Sequence, residues 1–576
     1  MFFNNIKFII NLKKVFFLTK DYKKKVYFLF FFITVGSALE LLSLGILLPL
    51  ISYFSGDKFF FIENFFSFKS EEYIYFLLFI IFIIYFFKII FFIYLNFYKN
   101  KFFANLNANI GKKLFSFYIK KNYLFHLRNS SPKLISNIDE TTSTIGEVIS
   151  ATFNLLIDLC IIFIIIFFLL NIETIFTILL LLCLIIFSYF YYSTIKNQLN
   201  EIGKNKFIFR SLKTKFLQES FSGIREIKLL NNYNYAITGF YNSNLRLLRV
   251  ISKYITFQSF PKLLLELLII LLFVILILFL LHLKKDSSYI TFLLGIFLVC
   301  SIRILPIVGR LLSSLQTINA GIKCLNIVYD DLTEFNNLER KKNSSIISRN
   351  FFFQKKIKLE KVNFAYSDKI GLILHDVSIS INKGDIIAIV GDSGSGKSTF
   401  LDLLCGLLKP TSGKIFIDNK NLNFNEELWQ KKVSYVSQNI FLNETTILEN
   451  ITFSNKNEDI NNGLLDQALR VSGLNNILKK FPLGIKTHVG EKGLKLSGGQ
   501  KQRLGIARCL YKNSDVLIFD EATNALSLQN ERELLKLLIK YYKEKTIVFT
   551  SHRRETLIFC SKIYKIENKK VFELIE

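Results

Sequence analysis

Six apolar runs long enough to cross a bilayer occupy the first 320 residues, at about 26–54, 72–98, 143–170, 173–195, 256–283 and 288–316. A helix needs about 20 mainly apolar residues to cross about 30 Å of hydrocarbon, and "LLLELLIILLFVILILFLL" (Leu263–Leu281) is typical of these runs. An even number of spans returns the chain to the side on which it starts. Residues 99–142 and 196–255 keep helix-like apolar spacing but dilute it with Lys, Asn and Glu. They are too polar for lipid and too long for turns, so they are expected to extend the membrane helices into the cytoplasm. In the first outer loop, Ile62, Phe65, Phe66 and Lys69 have i, i+3, i+4, i+7 spacing, which suits a short anchoring helix at the interface.

Beyond the sixth run the pattern changes. A charged, Ser- and Asn-rich stretch, "NNLERKKNSSIISRN" (Asn336–Asn350), reads as a linker. After it, "KIKLEKVNFAY", "DIIAIVG", "VLIFDE" and "TIVFTSH" read as strands alternating with helical patterns, one helix opening at Lys397. That alternation implies an α/β domain with a mainly parallel sheet. The expected division is therefore a cytoplasmic amphipathic entry segment (1–25), a six-helix membrane domain (26–325), a linker (326–355) and an α/β P-loop domain (356–576).

Composition fits this division. The chain of 576 residues is 51% hydrophobic with 62 Phe, yet carries a formal charge of +28. Lys7, Lys13, Lys14, Lys20, Lys23, Lys24 and Lys25 precede the first span, and the stretches after the second and fourth runs are equally basic. Excess cations on one side of a membrane orient the protein, which argues against a nucleic-acid partner. The pattern is expected to put the N-terminus and the α/β domain on the cytoplasmic side of the membrane. The entry segment lacks the short apolar core and small-residue cleavage site of a signal peptide. Cysteines 160, 183, 300, 324, 405, 509 and 560 are odd in number and form no C-x-x-C pair, so neither a disulfide framework nor a zinc site is expected.

"FLVCSIRILPIVGR" (Phe297–Arg310) places Arg303 and Arg310 in or beside the sixth span. A charge at the bilayer centre costs about 2.5–3.5 kcal/mol even on insertion scales. Such cations either face a wet cavity that takes an anion or pair with an internal carboxylate, here Glu40 or Glu266. For Arg310 a position near the cytoplasmic face is a third reading, and for Asp158 core hydrogen bonding is expected.

The chemistry of the second half is more specific. "GDSGSGKST", formed by Gly391, Asp392, Ser393, Gly394, Ser395, Gly396, Lys397, Ser398 and Thr399, follows an apolar strand and opens a helix. Glycines let backbone N–H groups wrap phosphates, and the helix N-terminus adds positive potential. Lys397 is placed to reach the β and γ phosphates of ATP and Ser398 to bind Mg2+. "VLIFDEAT" delivers Asp520 to the magnesium shell and Glu521 as general base for the attacking water.

Between these motifs lies "LSGGQ" (Leu496–Gln500), with Ser497, Gly498, Gly499 and Gln500. Together the motifs resemble those of ABC-transporter ATPases. The resemblance implies that Tyr366 in "VNFAY" stacks on adenine, that Gln438 in "YVSQNIF" links magnesium to the membrane domain, and that His552 in "FTSHR" contacts the γ-phosphate. It likens "VGEKG", with Glu491, to the coupling loop of exporters. It also implies that the signature loop of one ATPase domain closes over ATP held by another, so that the chain dimerises with itself or with a related half transporter. One position departs: "NALS" puts Ser527 where the family has an aspartate at the contact between ATPase domains.

Six spans with one ATPase domain resemble the exporter-type half transporters. "LELLSLGILLPLIS", "SFPKLLLEL" and "RILPIVGRLLSSLQTI" further resemble the bacterial lipid-linked oligosaccharide flippases of the PglK group and related polysaccharide exporters. That resemblance implies Lys262, Arg303 and Arg310 as cavity cations for a lipid pyrophosphate, Lys262 replacing the usual arginine. Other readings are export of another amphiphile, such as a lipid A precursor, peptide or drug, and an ATP-gated channel or regulator. A soluble ATPase of translation or repair conflicts with the six spans.

Overall fold

A computed structural model describes residues 12–55, 70–283, 287–344, 351–367, 371–424, 426–453, 460–551 and 553–574. The expected interfacial helix and His552 lie outside the described residues. The chain divides into two compact units, Met1–Lys121 with Asn129–Ser345, and Asn122–Arg128 with Ile346–Glu576.

In the first unit six helices among the described residues are long and apolar enough to cross a membrane. They are α1 (Lys23–Gly45), α2 (Ser70–Lys120), α3 (Ser131–Leu170), α4 (Thr174–Ser222), α5 (Tyr233–His282) and α6 (Ser287–Ser344). A short helix, Leu47–Ser55, follows α1. Local chemistry marks several starts: Pro132 sits in the first turn of α3, and the Asn232 side chain caps α5 by accepting from the Tyr235 N–H at 3.4 Å.

The diluted apolar spacing of 99–142 becomes a core stripe. Phe102, Phe103, Leu106, Ile110 and Leu114 of α2 are buried against Ile145, Val148 and Ile149 of α3 and Ile318, Leu325, Val328 and Leu332 of α6. The same stripe carries α6 through Val328, Leu332 and Phe335, so residues 326–344, expected as linker, are helical. A second cluster, including Ile165, Leu169, Leu180, Leu272, Leu276 and Leu293, packs α3, α4, α5 and α6 within the apolar runs. Gly203 marks a tight crossing: a Cβ there would lie 2.0 Å from the Ala320 carbonyl oxygen, so only glycine lets α4 meet α6 this closely.

The second unit holds two sheets. The strands are β1 (Lys356–Phe364), β2 (Leu374–Asn382), β3 (Ile386–Val390), β4 (Ser412–Ile417), β5 (Lys420–Asn421), β6 (Val433–Val436), β7 (Val516–Asp520), β8 (Thr546–Thr550), β9 (Lys562–Glu567) and β10 (Lys570–Leu574). The larger sheet has the order β10-β9-β3-β8-β7-β6, parallel except at the β10 edge. β7 and β8 are buried at every position, as expected of mainly apolar strands covered on both faces, and the polar residues at their ends, Asp520 and Thr550, bond to each other. The smaller sheet, β2-β1-β4-β5, is antiparallel and was not part of the parallel-sheet expectation.

Four helices matter for the site: α7 (Lys397–Leu404), α8 (Asn462–Val471), α9 (Gly498–Tyr511) and α10 (Leu528–Tyr541). The short helix Tyr123–Arg128 belongs to this unit, with Leu124 packed on its core.

Candidate nucleotide site and buried membrane charges

β3 ends at Val390 and the glycine loop turns the chain into α7, with Gly396 at φ 104° as the residue before the helix. A side chain there would meet Ile373 at 3.2 Å, so both backbone angle and space require glycine. Lys397 is almost fully buried and its ammonium donates to the carbonyls of Gly391 and, at 3.1 Å, Asp392. The Ser395 hydroxyl oxygen, inside the same loop, is buried without a hydrogen-bond partner. A buried cation, an unmatched hydroxyl and the N-terminus of α7 form a cradle that suits an anionic phosphate.

Asp520, at the end of β7, lies beside this loop. Its Oδ2 accepts from the Tyr435 hydroxyl at 2.8 Å and the Ser398 hydroxyl at 3.3 Å, and its Oδ1 accepts from Thr550 at 2.8 Å. Parallel pairing of β6, β7 and β8 brings these three strand ends together. Burial, followed by the Asp520 charge, raises the Tyr435 phenol far above its ordinary value and keeps it a donor. Ser398 and Asp520 thus present hard oxygens to one point, the donor set that Mg2+ prefers.

Glu521 follows with φ 48°, a backbone turn that aims it away from the strand. Its Oε2 accepts from the side-chain amides of Gln438 at 2.8 Å and Asn524 at 3.0 Å, and its N–H donates to Thr550 at 2.8 Å. Tyr366 is half-buried, edge-on to Phe364, and shares a 2.9 Å hydrogen bond with Thr399. Its carbonyl accepts from Arg128 of the short helix at 2.5 Å. The expected residues of the phosphate loop, β7 and Gln438 therefore form one site.

The signature residues are organised separately. Ser497 and Gln500 form a capping box at the start of α9, and Gly499 lies against Ala525, where a Cβ would come within 3.2 Å of the carbonyl oxygen. Ser497, Gly498, Gly499 and Gln500 share no hydrogen bond with the phosphate loop among the described residues. Ser527 caps α10, its hydroxyl accepting from the Asn530 N–H at 3.4 Å. Serine and aspartate cap comparably, so the departure from the family keeps the cap and removes a charge.

Sequence reading missed the clamp beneath this loop. Glu531 is fully buried, accepts from Thr523 and Thr556 at 2.8 Å each, and pairs with Arg553. Arg553 also donates to the carbonyls of Asn524 at 2.9 Å and Leu526 at 3.3 Å. Close to the phosphate loop, Asp402 is pushed up to about 6, first by burial and then by the Asp520 charge.

In the membrane unit Arg303 donates to Glu40 at 2.6 Å, to Ser43 at 3.3 Å and to the Tyr85 hydroxyl. Lys88 of α2 pairs with the same carboxylate and donates to Ser43 at 3.0 Å. The cluster is largely buried and holds two cations for one carboxylate. Arg310 instead pairs with Asp158 at 3.0 Å. Lys262 is exposed on α5 beside Pro261 and shares no hydrogen bond or ion pair with either cluster among the described residues. Lys88 was missed because a single lysine in a Phe-rich run carries no spacing signal.

With this geometry in view, two family models match the chain in succession: the ABC transporter transmembrane region over residues 26–305 and the ABC transporter over residues 374–524. The chain belongs to the ABC transporters. It is similar to the putative multidrug export ATP-binding/permease protein YgaD of Bacillus subtilis (33% identity, covering 46% of this chain and 45% of that protein). It is also similar to the alpha-hemolysin translocation ATP-binding protein HlyB of Escherichia coli O157:H7 (35% identity, 41% and 33%). The matched region spans half or less of each relative's length. A bacterial Atm1-family ABC exporter solved with ATP bound shares the fold, with a TM-score of 0.79 and 20% identity over 95% of this chain and 94% of that one. This ABC transporter chain accordingly combines a multi-pass membrane unit with an ATP-binding domain.

Proposed function

We propose that this ABC transporter hydrolyses ATP to move a polyprenyl-pyrophosphate-linked saccharide from the cytoplasmic to the outer leaflet of a bacterial inner membrane. The distribution of lysines supports a cytoplasmic N-terminus and ATPase domain. ATP would be held by the 391–399 loop, with Lys397 released from its loop carbonyls onto the phosphates and Tyr366 against adenine. Mg2+, held by Ser398 and Asp520 with Gln438 nearby, would neutralise charge developing on the transferred phosphoryl group. Glu521 accepts the proton of the attacking water, its carboxylate oriented by the Gln438 and Asn524 amides. His552 is assigned to the γ-phosphate by family resemblance. Because Ser497 and Gly499 share no hydrogen bond with the phosphate loop among the described residues, a second copy or a related half transporter would supply the signature that closes each site.

One observation carries the substrate class: Arg303 and Lys88 share the single carboxylate of Glu40 within the membrane spans, leaving a net positive cluster. A buried surplus cation is costly unless an anion visits it, and Arg grips phosphate oxygens through two parallel N–H groups. The relatives' export names support an exporter, and another anionic amphiphile is the second reading. The test is flipping of lipid-linked saccharide by the purified protein in vesicles with ATP. Arg303→Gln should lower flipping and substrate-stimulated ATPase at least tenfold; ATPase indifferent to lipid-linked saccharide, with no flipping, sinks the proposal.

A further inference from the structure

The turn that follows Glu521 is tied down more firmly than its exposure requires. Asn524 and Ala525 are exposed, and exposed turns are ordinarily among the most mobile parts of a domain. Here the backbone is held from two directions. The Ala525 N–H donates at 2.8 Å to the side-chain carbonyl of Gln502, a buried residue of α9. Arg553 donates to the carbonyls of Asn524 at 2.9 Å and Leu526 at 3.3 Å, and is itself fixed by buried Glu531. The Asn524 N–H closes onto the Glu521 carbonyl at 3.2 Å and the Leu526 N–H onto that of Thr523 at 2.9 Å. Asn524 and Ala525 bury little surface in return, so what this scaffold fixes is the direction of the Asn524 side chain.

That side chain meets Glu521 on one oxygen only. Asn524 Nδ2, at 3.0 Å, and Gln438 Nε2, at 2.8 Å, both donate to Oε2. Oε1 accepts no hydrogen bond among the described residues. The two donors come from separate segments, one after β6 and one after β7, so together they fix where Oε2 lies. The carboxylate therefore has one occupied oxygen and one whose lone pairs are open to a proton.

We propose that Gln502 and Asn524 are positioning residues for ATP hydrolysis, Gln502 anchoring the turn and Asn524 anchoring Oε2, so that Oε1 is the atom that takes the proton of the attacking water. The inference rests on Glu521 as the general base, as read above. As the water oxygen bonds to the γ-phosphorus, the bond from that phosphorus to the ADP oxygen breaks and ADP leaves with its electron pair. One water proton passes to Oε1 in the same step. Gln502 and Asn524 act through Glu521 and need no contact with ATP. Because Gln502 lies on α9, whose N-cap is Ser497, the base is braced against the signature segment of its own chain.

The test measures phosphate release by the full-length protein in nanodiscs over a range of MgATP. Asn524→Ala should lower kcat about tenfold, the size of one hydrogen bond to a charged group, and leave KM for ATP within about twofold. Gln502→Leu should lower kcat in the same way. The double variant should be no slower than Asn524→Ala alone, because the two residues act in series, and losses that multiply overturn the relay. Without nucleotide, Gln502→Leu should also quicken hydrogen exchange across residues 522–527, and unchanged exchange overturns the anchor even if kcat falls. Asn524 is exposed, so Asn524→Ala is expected to fold and decides the matter even where Gln502→Leu does not. Wild-type kcat in Asn524→Ala, or a loss confined to KM, overturns the positioning role. If Glu521→Gln is inactive in that case, the base reading stands and only this inference fails. Normal turnover by Glu521→Gln overturns both.

Discussion

Arg553→Met should destabilise the ATPase domain strongly, because it strands the Glu531 carboxylate. Glu531 is fully buried, and Arg553 is its counter-ion. The two threonine hydroxyls at 2.8 Å would remain, but they supply no charge. Breaking a buried pair from one side costs about 3–5 kcal/mol. Glu531→Gln keeps an acceptor for both threonines and loses only the charged component, about 1.5–3 kcal/mol. Replacing both residues by apolar ones of similar volume removes the buried charge itself, and should recover most of the loss. For a unit of this size, Ile346–Glu576, each kcal/mol moves Tm by about 2–4 °C, so Arg553→Met should lose about 6–20 °C. The chain supplies its own reporter. Trp429 is the single tryptophan, fully buried in this unit and bonded to the Leu404 carbonyl at 2.7 Å, so its fluorescence follows ATPase-domain unfolding alone. The reasoning is refuted if Arg553→Met unfolds within about 2 °C of wild type, or if Glu531→Gln costs as much as Arg553→Met.

Glu521→Gln should abolish phosphate release while fluorescent ATP analogue still binds; normal turnover would remove Glu521 from the base role. Asp402→Asn should raise Tm at pH 7.5, because the folded value, about 6, exceeds the unfolded one of about 3.9, so the ionised carboxylate burdens the folded state above pH 6. As pH falls through about 6 the folded protein takes the proton first, and the gap to wild type should close by about pH 4; a gap independent of pH contradicts this. Ser527→Ala should cost about 1 kcal/mol through loss of the α10 cap, whereas Ser527→Asp should stay within about 0.5 kcal/mol in the same fluorescence assay.

Much of the nucleotide site was readable because its chemistry is local. The glycines, Lys397 and Ser398 lie in nine consecutive residues between a strand and a helix, and Asp520 and Glu521 end another strand. Their roles depend on backbone conformations that short sequence patterns specify. The Asp520 clamp was not readable, since Tyr435 and Thr550 stand 85 and 30 residues away and meet only when β6, β7 and β8 pair in register. Glu531 and Arg553 were hidden for the same reason, each looking like an ordinary surface charge of a helix or loop.

The apolar period by itself determined that six helices cross a membrane and that polar stretches continue them, because hydrophobic length and spacing act through solvent, residue by residue. It also set the position of Arg303 in the sixth span, leaving two outcomes for that charge. Which outcome holds is a matter of distance between α1, α2 and α6, and no pattern along one helix encodes it. Only the tertiary structure decided that Arg303 meets Glu40 and that Lys88 joins them, and that Arg310 turns to Asp158 while Lys262 shares neither cluster. Ion pairing depends on separation in space and on exclusion of water, both of which exist only after the helices have packed.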